Sequence, residues 1–291
     1  MLTIVFDGVA YGMLLFILAL GLSVTMGLMN FINLAHGAFA MAGGYVTVLL
    51  MQRAGVPFLA CLPLAFAAAA ALGAILERTL YRPLYGRPHL DQVLFTIGLT
   101  FMAVAAVDYS MGPSQQFVRL PEWLKGRTEI GSGAWTLGMG HYRLFIIAVC
   151  LALTVMLQYV LSRTRFGSRL RASVDDQRVA GGLGINVNGV FLSTFAFGCG
   201  LAGLGGALGA EILGLDPNFP LKFLIYFLIV VAVGGTSSIT GPLAAALLLG
   251  IADVAGKYYI PKTGAFIVYT LMIVILLWRP QGLFARAGGR A

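Results

Sequence analysis

Nine apolar runs, each close to the length that crosses a bilayer, follow one another along this chain with little between them. They cover residues 5–28, 36–52, 57–76, 92–111, 142–162, 188–212, 219–236, 240–258 and 263–279. A membrane-spanning helix needs about 20 mainly apolar residues. The runs are continuous and lack the alternation of an outer-membrane barrel strand, so helices are expected and strands are not. Composition supports the same conclusion. With 59% hydrophobic and only 10% charged residues, the chain cannot cover the surface of a soluble globule, where about a quarter of residues are charged. A soluble enzyme, a disordered tail and a nucleic-acid-binding domain are excluded. The net charge of +8 implies no nucleic-acid partner, because Lys and Arg gather in short loops between apolar runs.

The expected fold is therefore all-α: one polytopic transmembrane domain over residues 1–291, with about 8–9 spans. The first run has no Lys or Arg before it and no clear A-x-A cleavage site, so it reads as a span rather than a signal peptide. Arg78, Arg82 and Arg87 follow the third run. Arg163, Arg165, Arg169, Arg171 and Arg178 follow the fifth, and Arg279, Arg286 and Arg290 follow the last. All three groups fall on one side if the N-terminus is periplasmic, and the positive-inside rule makes that side, with the C-terminus, cytoplasmic. Residues 112–141 become a periplasmic loop and 163–187 a cytoplasmic one. The pair 219–236 and 240–258 reads either as two spans or as a re-entrant hairpin.

Several residue patterns bear on chemistry. Gly198, Gly200 and Gly203 match G-x-G-x-x-G, but the motif needs a preceding strand, and here it lies in an apolar helix. Close packing through Gly205 and Gly209, or Ala202 and Gly206, is the better reading. No Walker A, H-E-x-x-H or G-x-S-x-G sequence occurs, so any energy source must come from elsewhere. Cys61, Cys150 and Cys199 are isolated within apolar runs and read as small buried hydrophobes. Asp253 is the main ionisable residue inside a run, and Lys257, one turn on, is its expected partner.

Two segments stand out. From Gly27 to Gly37 the chain carries Asn30, Asn33 and His36 with no formal charge, between two apolar runs. Irregular backbone at membrane depth is tolerated only where protein or a water-filled cavity covers it. The alternatives are a short cytoplasmic turn with Asn caps, or a broken helix at a gate. Gly43 and Gly44 in the next helix invite close approach of a neighbour. A lone His without Cys, Asp or Glu nearby is a poor metal site. The second segment, Arg163 to Val187, holds Leu170, Val174 and Arg178 at helical spacing and an expected Arg171–Asp175 pair. A short amphipathic helix over about 169–181 fits, ended by Gly181 and Gly182. It reads either as a basic loop on anionic membrane lipid or as a helix docked on a partner protein. Asp175 and Asp176 favour the partner.

Gly21 to Tyr45, with Ile32, Asn33, Ala35, His36 and Gly37 at its core, resembles the signature of LivH-type permeases of branched-chain amino acid ABC importers. So do Glu77 to Pro88, Arg171 to Ile185, the turn Gly234-Gly235-Thr236-Ser237-Ser238, and the terminal Arg279 to Phe284. One departure is Ala38, where members often carry a polar or acidic residue. The resemblance implies a bacterial inner-membrane permease subunit that is not itself an enzyme. It also implies a second, LivM-like permease, two cytoplasmic ATPases that hold ATP and Mg, and a periplasmic substrate-binding protein. No cofactor is expected in this chain. The substrate would be a branched-chain or other apolar amino acid, with urea, short amides and aromatic acids as alternatives. Asn30, Asn33, His36, Gly37, Gly43, Gly44, Gly234, Gly235, Ser237 and Ser238 become candidates for the translocation path. Arg171, Ala172, Asp175, Asp176, Arg178, Ala180 and Gly184 become candidates for coupling to an ATPase, with Ala180 and Gly184 small so that a partner backbone can come close. The rival from another class is an autonomous carrier or channel, with Asp253 as its coupling residue.

Overall fold

The computed structural model describes residues 1–29, 31–130, 137–235, 239–279 and 282–283. Among the described residues each apolar run contains a helix: α1 (Leu2–Met29), α2 (His36–Ala54), α3 (Phe58–Leu76), α4 (His89–Met111), α6 (His141–Arg163), α9 (Val187–Leu213), α10 (Phe219–Gly234), α11 (Thr240–Tyr259) and α12 (Gly264–Trp278). Among the described residues six helices are long and apolar enough to cross a membrane, and α10 and α12 are apolar but shorter. At about 1.5 Å per residue α10 rises roughly 24 Å, less than the ~30 Å hydrocarbon core. Helix α2 has polar ends, His36 on one side and Gln52 and Arg53 on the other.

The segments between the helices depart from the expected all-α fold in one place. Within 112–141 lie a single-turn helix α5 (Glu122–Lys125) and an antiparallel pair, β1 (Arg127–Ile130) and β2 (Leu137–Gly140), with Arg127 opposite Gly140. Short strands outside the apolar runs leave no long alternating pattern to read. The pair is held at its base. Gly138 N–H donates to Thr3 Oγ1 at 3.1 Å, and His141 N–H donates to the Gly126 carbonyl at 2.9 Å.

The chain divides into two compact units. One comprises Met1–Ala19, Leu120–Leu153 and Tyr226–Ala291, the other Leu20–Arg119 and Thr154–Ile225. In the second, α2, α3 and α9 pack closely on one another. Gly43 of α2 meets Gly203 of α9 backbone to backbone, so a Cβ on Gly43 would collide with it, and a Cβ on Gly203 would strike Ala69 of α3. Gly206 sits against Ala40, and Gly200 lies under the Phe66 ring. Small residues thus allow α2 and α9 to touch, as lipid-embedded helices require. In the first unit Gly12 of α1 and Gly250 of α11 meet in the same way. Leu94, Phe101, Met102 on α4, Val155 on α6 and Leu277 on α12 are all more than half exposed. Apolar faces this extensive belong in lipid.

Candidate functional site

Helix α1 ends at Met29 and α2 begins at His36, so the polar segment is a true break. Its backbone cannot pair with itself in helical fashion, and buried N–H and C=O groups need partners. Helix α4 supplies them from one buried stripe. Ile32 N–H donates to Gln92 Oε1 at 3.1 Å, and Leu34 N–H donates to Thr96 Oγ1 at 3.2 Å. Thr100 Oγ1 lies 3.4 Å from the Leu34 carbonyl. Gln92 in turn donates through Nε2 to the Leu84 and Arg87 carbonyls at 3.3 and 3.1 Å. Gln92, Thr96 and Thr100 are each at most 2% exposed. This is irregular backbone covered by protein, the condition under which it survives in a membrane.

Within the break Asn33 is fully buried. Its Oδ1 accepts the Tyr81 hydroxyl at 3.2 Å, while Nδ2 has no partner among the described residues. Tyr81 sits on a π-helical turn, Glu77–Tyr81, that continues α3. Its ring packs against Phe31, Phe95 and Phe195 with centroids 5.5, 5.7 and 4.7 Å away. Tyr85 donates to Glu77 Oε1 at 3.0 Å. Burial first, and then the Glu77 carboxylate, hold its phenol above the ordinary range, so it stays a donor. His36 is buried, with its ring near Gly21. Gly37 abuts Pro220, whose Cα would lie 2.9 Å from an added Cβ. Gly44 faces the Leu215 side chain. Asn33, His36, Gly37, Gly43 and Gly44 are therefore gathered in one unit.

Gly234 and Gly235 belong to the other unit. Gly234 packs on Pro242 at the start of α11, and Gly235 has φ +80°. The chain after α12 returns to this turn: Leu283 N–H donates to the Val233 carbonyl at 2.7 Å. Two segments that the sequence presents separately are thus one assembly. Asn30, Ser237 and Ser238 lie outside the described residues. Asp253 is 2% exposed and pairs with Lys257 at 2.6 Å, as expected from their spacing.

The segment 163–187 differs from the single helix over 169–181. Helix α7 (Arg165–Asp175) stops, and α8 (Gln177–Gly182) starts afresh. Between them Asp176 is extended, and its Oδ1 accepts the Arg178 and Val179 N–H groups at 2.8 and 3.0 Å. The second of the two acids is an N-cap, which favours starting a new helix over continuing the old one. Arg171 turns back to the Leu161 carbonyl, and among the described residues it forms no ion pair with Asp175. Arg171, Asp175, Asp176, Arg178 and Gly184 are exposed and Ala172 is half-buried. Ala180 is 1% exposed, so its small size serves packing within the chain rather than a visitor's approach. The outward apolar residues are Val179 and Leu183, at 59% and 75%.

Sequence reasoning passed over the α4 stripe, although a Gln and two Thr at i, i+4 and i+8 in an apolar helix are a legible polar seam. It also passed over Asp7, which pairs with Arg143 at the start of α6.

The chain matches the family described as branched-chain amino acid transport system / permease component over residues 4–276. It is similar to the high-affinity branched-chain amino acid transport system permease protein BraD of Pseudomonas aeruginosa, 28% identical over 291 residues, which span 96% of this chain and 94% of that one. LivH of Escherichia coli K12 is 29% identical over 296 residues, with 97% and 94% covered. LivM of the same organism is 27% identical over 291 residues, with 93% and 68% covered. No solved structure matches the chain.

Proposed function

Because the chain belongs to the permease components of branched-chain amino acid transport systems, we propose that it forms one half of the path by which an apolar amino acid crosses a bacterial inner membrane, driven by ATPases on its cytoplasmic side. The observation that carries this reading is the uncharged break before α2, buried and held by side chains of α4. Such a break lets a helix move as two pieces beside a pathway without exposing bare backbone to lipid. Asn33, His36, Gly37, Gly43, Gly44, Gly234 and Gly235 would shape the path and its gate, with Asn30, Ser237 and Ser238 alongside them. The mechanism is alternating access.

The arginine distribution supports a periplasmic N-terminus and a cytoplasmic C-terminus around about 8–9 spans. The segment 163–187 is then cytoplasmic and meets an ATPase. Its contact surface is α8, through Val179 and Leu183 with Asp175, Asp176 and Arg178 around them. Similarity to both LivH and LivM supports a second, LivM-like permease as the other half. A periplasmic binding protein would deliver the solute. ATP and Mg would be bound by the ATPases and not by this chain. The Asp253–Lys257 pair weighs against an ion-coupled carrier, since a carboxylate already paired is poorly placed to load a coupling ion.

Purification of the tagged chain from its native membrane in mild detergent tests the assembly. A second permease and two ATPase chains should co-purify. A chain that purifies alone and transports alone would contradict it.

A further inference from the structure

We propose that the Asn33 carboxamide and the start of α2 form the subsite for the carboxylate of an amino acid in transit. The proposal rests on the reading of the chain as an amino acid permease and names the substrate group that meets the break.

Three observations carry it. The first is the orphan donor. Asn33 is fully buried, and among the described residues its Nδ2 has no partner, although buried polar groups are nearly always bonded. The second is orientation. The Tyr81 hydroxyl donates to Asn33 Oδ1, so the NH2 group is the end left over. Tyr81 is itself held by the rings of Phe31, Phe95 and Phe195, which keeps its hydroxyl beside the carboxamide. The third is the helix that starts three residues on. The first turn of a helix leaves N–H groups without intrahelical acceptors and carries a partial positive charge. His36 and Ala38 already donate to the Asn33 and Ala35 carbonyls. The Gly37 N–H is one donor of that turn for which no described residue supplies an acceptor, as is usual at a helix start.

Two neutral donors and a helix N-terminus suit an anion at membrane depth, where half-helix starts meet substrate carboxylates in transporters. No Lys or Arg lies between Gly27 and Arg53, so the anion would be held without a full countercharge. A path must bind well enough to admit its solute and weakly enough to release it. Here the subsite is closed, and it would open as the permease changes state.

The test uses the complete transporter in proteoliposomes, with labelled leucine delivered by its binding protein. Asn33→Asp keeps shape and the acceptor for Tyr81 but replaces the donor with an anion at neutral pH. Asn33→Leu keeps volume and removes both. Uptake by each at pH 7.5 should fall about ten-fold or more, the size of one lost hydrogen bond to a charged group. Stimulation of ATP hydrolysis by the loaded binding protein should persist, because the coupling segment is untouched. Uptake by Asn33→Asp should recover as pH falls and the new carboxyl becomes an O–H donor, while Asn33→Leu stays low. Normal uptake by either variant at pH 7.5 would overturn the proposal. So would loss in Asn33→Asp with no recovery at low pH in a complex whose ATPase still responds. A complex whose ATPase no longer responds would make Asn33 a structural residue and also count against it. Failure of the unaltered complex to take up leucine would instead strike the underlying function.

Discussion

Gln92 carries more of the break than any other side chain. It accepts from Ile32 N–H and donates to two carbonyls of the loop before α4. Gln92→Leu would strand these groups in a buried site, and each orphaned group costs about 1–3 kcal/mol. Thr100→Val removes a single long contact to Leu34 and one bond within its own helix. Thermal unfolding in detergent should therefore show a large loss for Gln92→Leu and a small one for Thr100→Val. Equal losses would mean that the stripe acts by packing alone. Asn33 and His36 were legible in the sequence because polar residues between apolar runs are conspicuous. Gln92, Thr96 and Thr100 were not singled out, since each alone is unremarkable and only their shared face gives them meaning. Ala180 shows the opposite error. Smallness was taken for openness to a partner, but the side chain is turned inward, and residue type alone cannot distinguish the two.

At the level of elements, the apolar runs located the helices well. The run 57–76 became Phe58–Leu76, and 188–212 became Val187–Leu213. Apolar length is a signal that survives any tertiary arrangement. The connecting segments depend on caps and turns, so 169–181 split at Asp176 and 112–141 acquired a strand pair. The split moves the proposed coupling surface from the middle of a helix to the exposed edge of α8. Val179→Asp combined with Leu183→Asp should leave the permease inserted and folded but unable to retain its ATPases on co-purification. Ala180→Trp should instead reduce yield of the folded chain, because the site is filled. Retention of ATPases by the double variant would place coupling elsewhere. Orientation is a separate matter. The segments 78–88 and 163–187 hold eight Arg and no Lys, so single cysteines at Arg82 and Arg165 should resist an impermeant thiol reagent in intact cells. Labelling of both from outside would invert the topology.

For the molecule as a whole, small residues bring the helices together and large apolar ones face outward. Gly43 with Gly203 and Gly12 with Gly250 close two helix crossings, while α4, α6 and α12 turn broad apolar faces outward. Charge gathers in the segments between the helices, and the buried Asp253 is paired with Lys257. The proposed path and gate would need an energy source on partner subunits, so the proposal turns on dependence on those partners. Uptake of labelled leucine, isoleucine and valine by proteoliposomes measures that dependence directly. With the second permease, both ATPases, the binding protein and internal ATP·Mg, uptake should be robust, and it should vanish when the ATPases or ATP are omitted. Uptake by this chain alone, driven by a proton or sodium gradient and abolished by Asp253→Asn, would contradict the account.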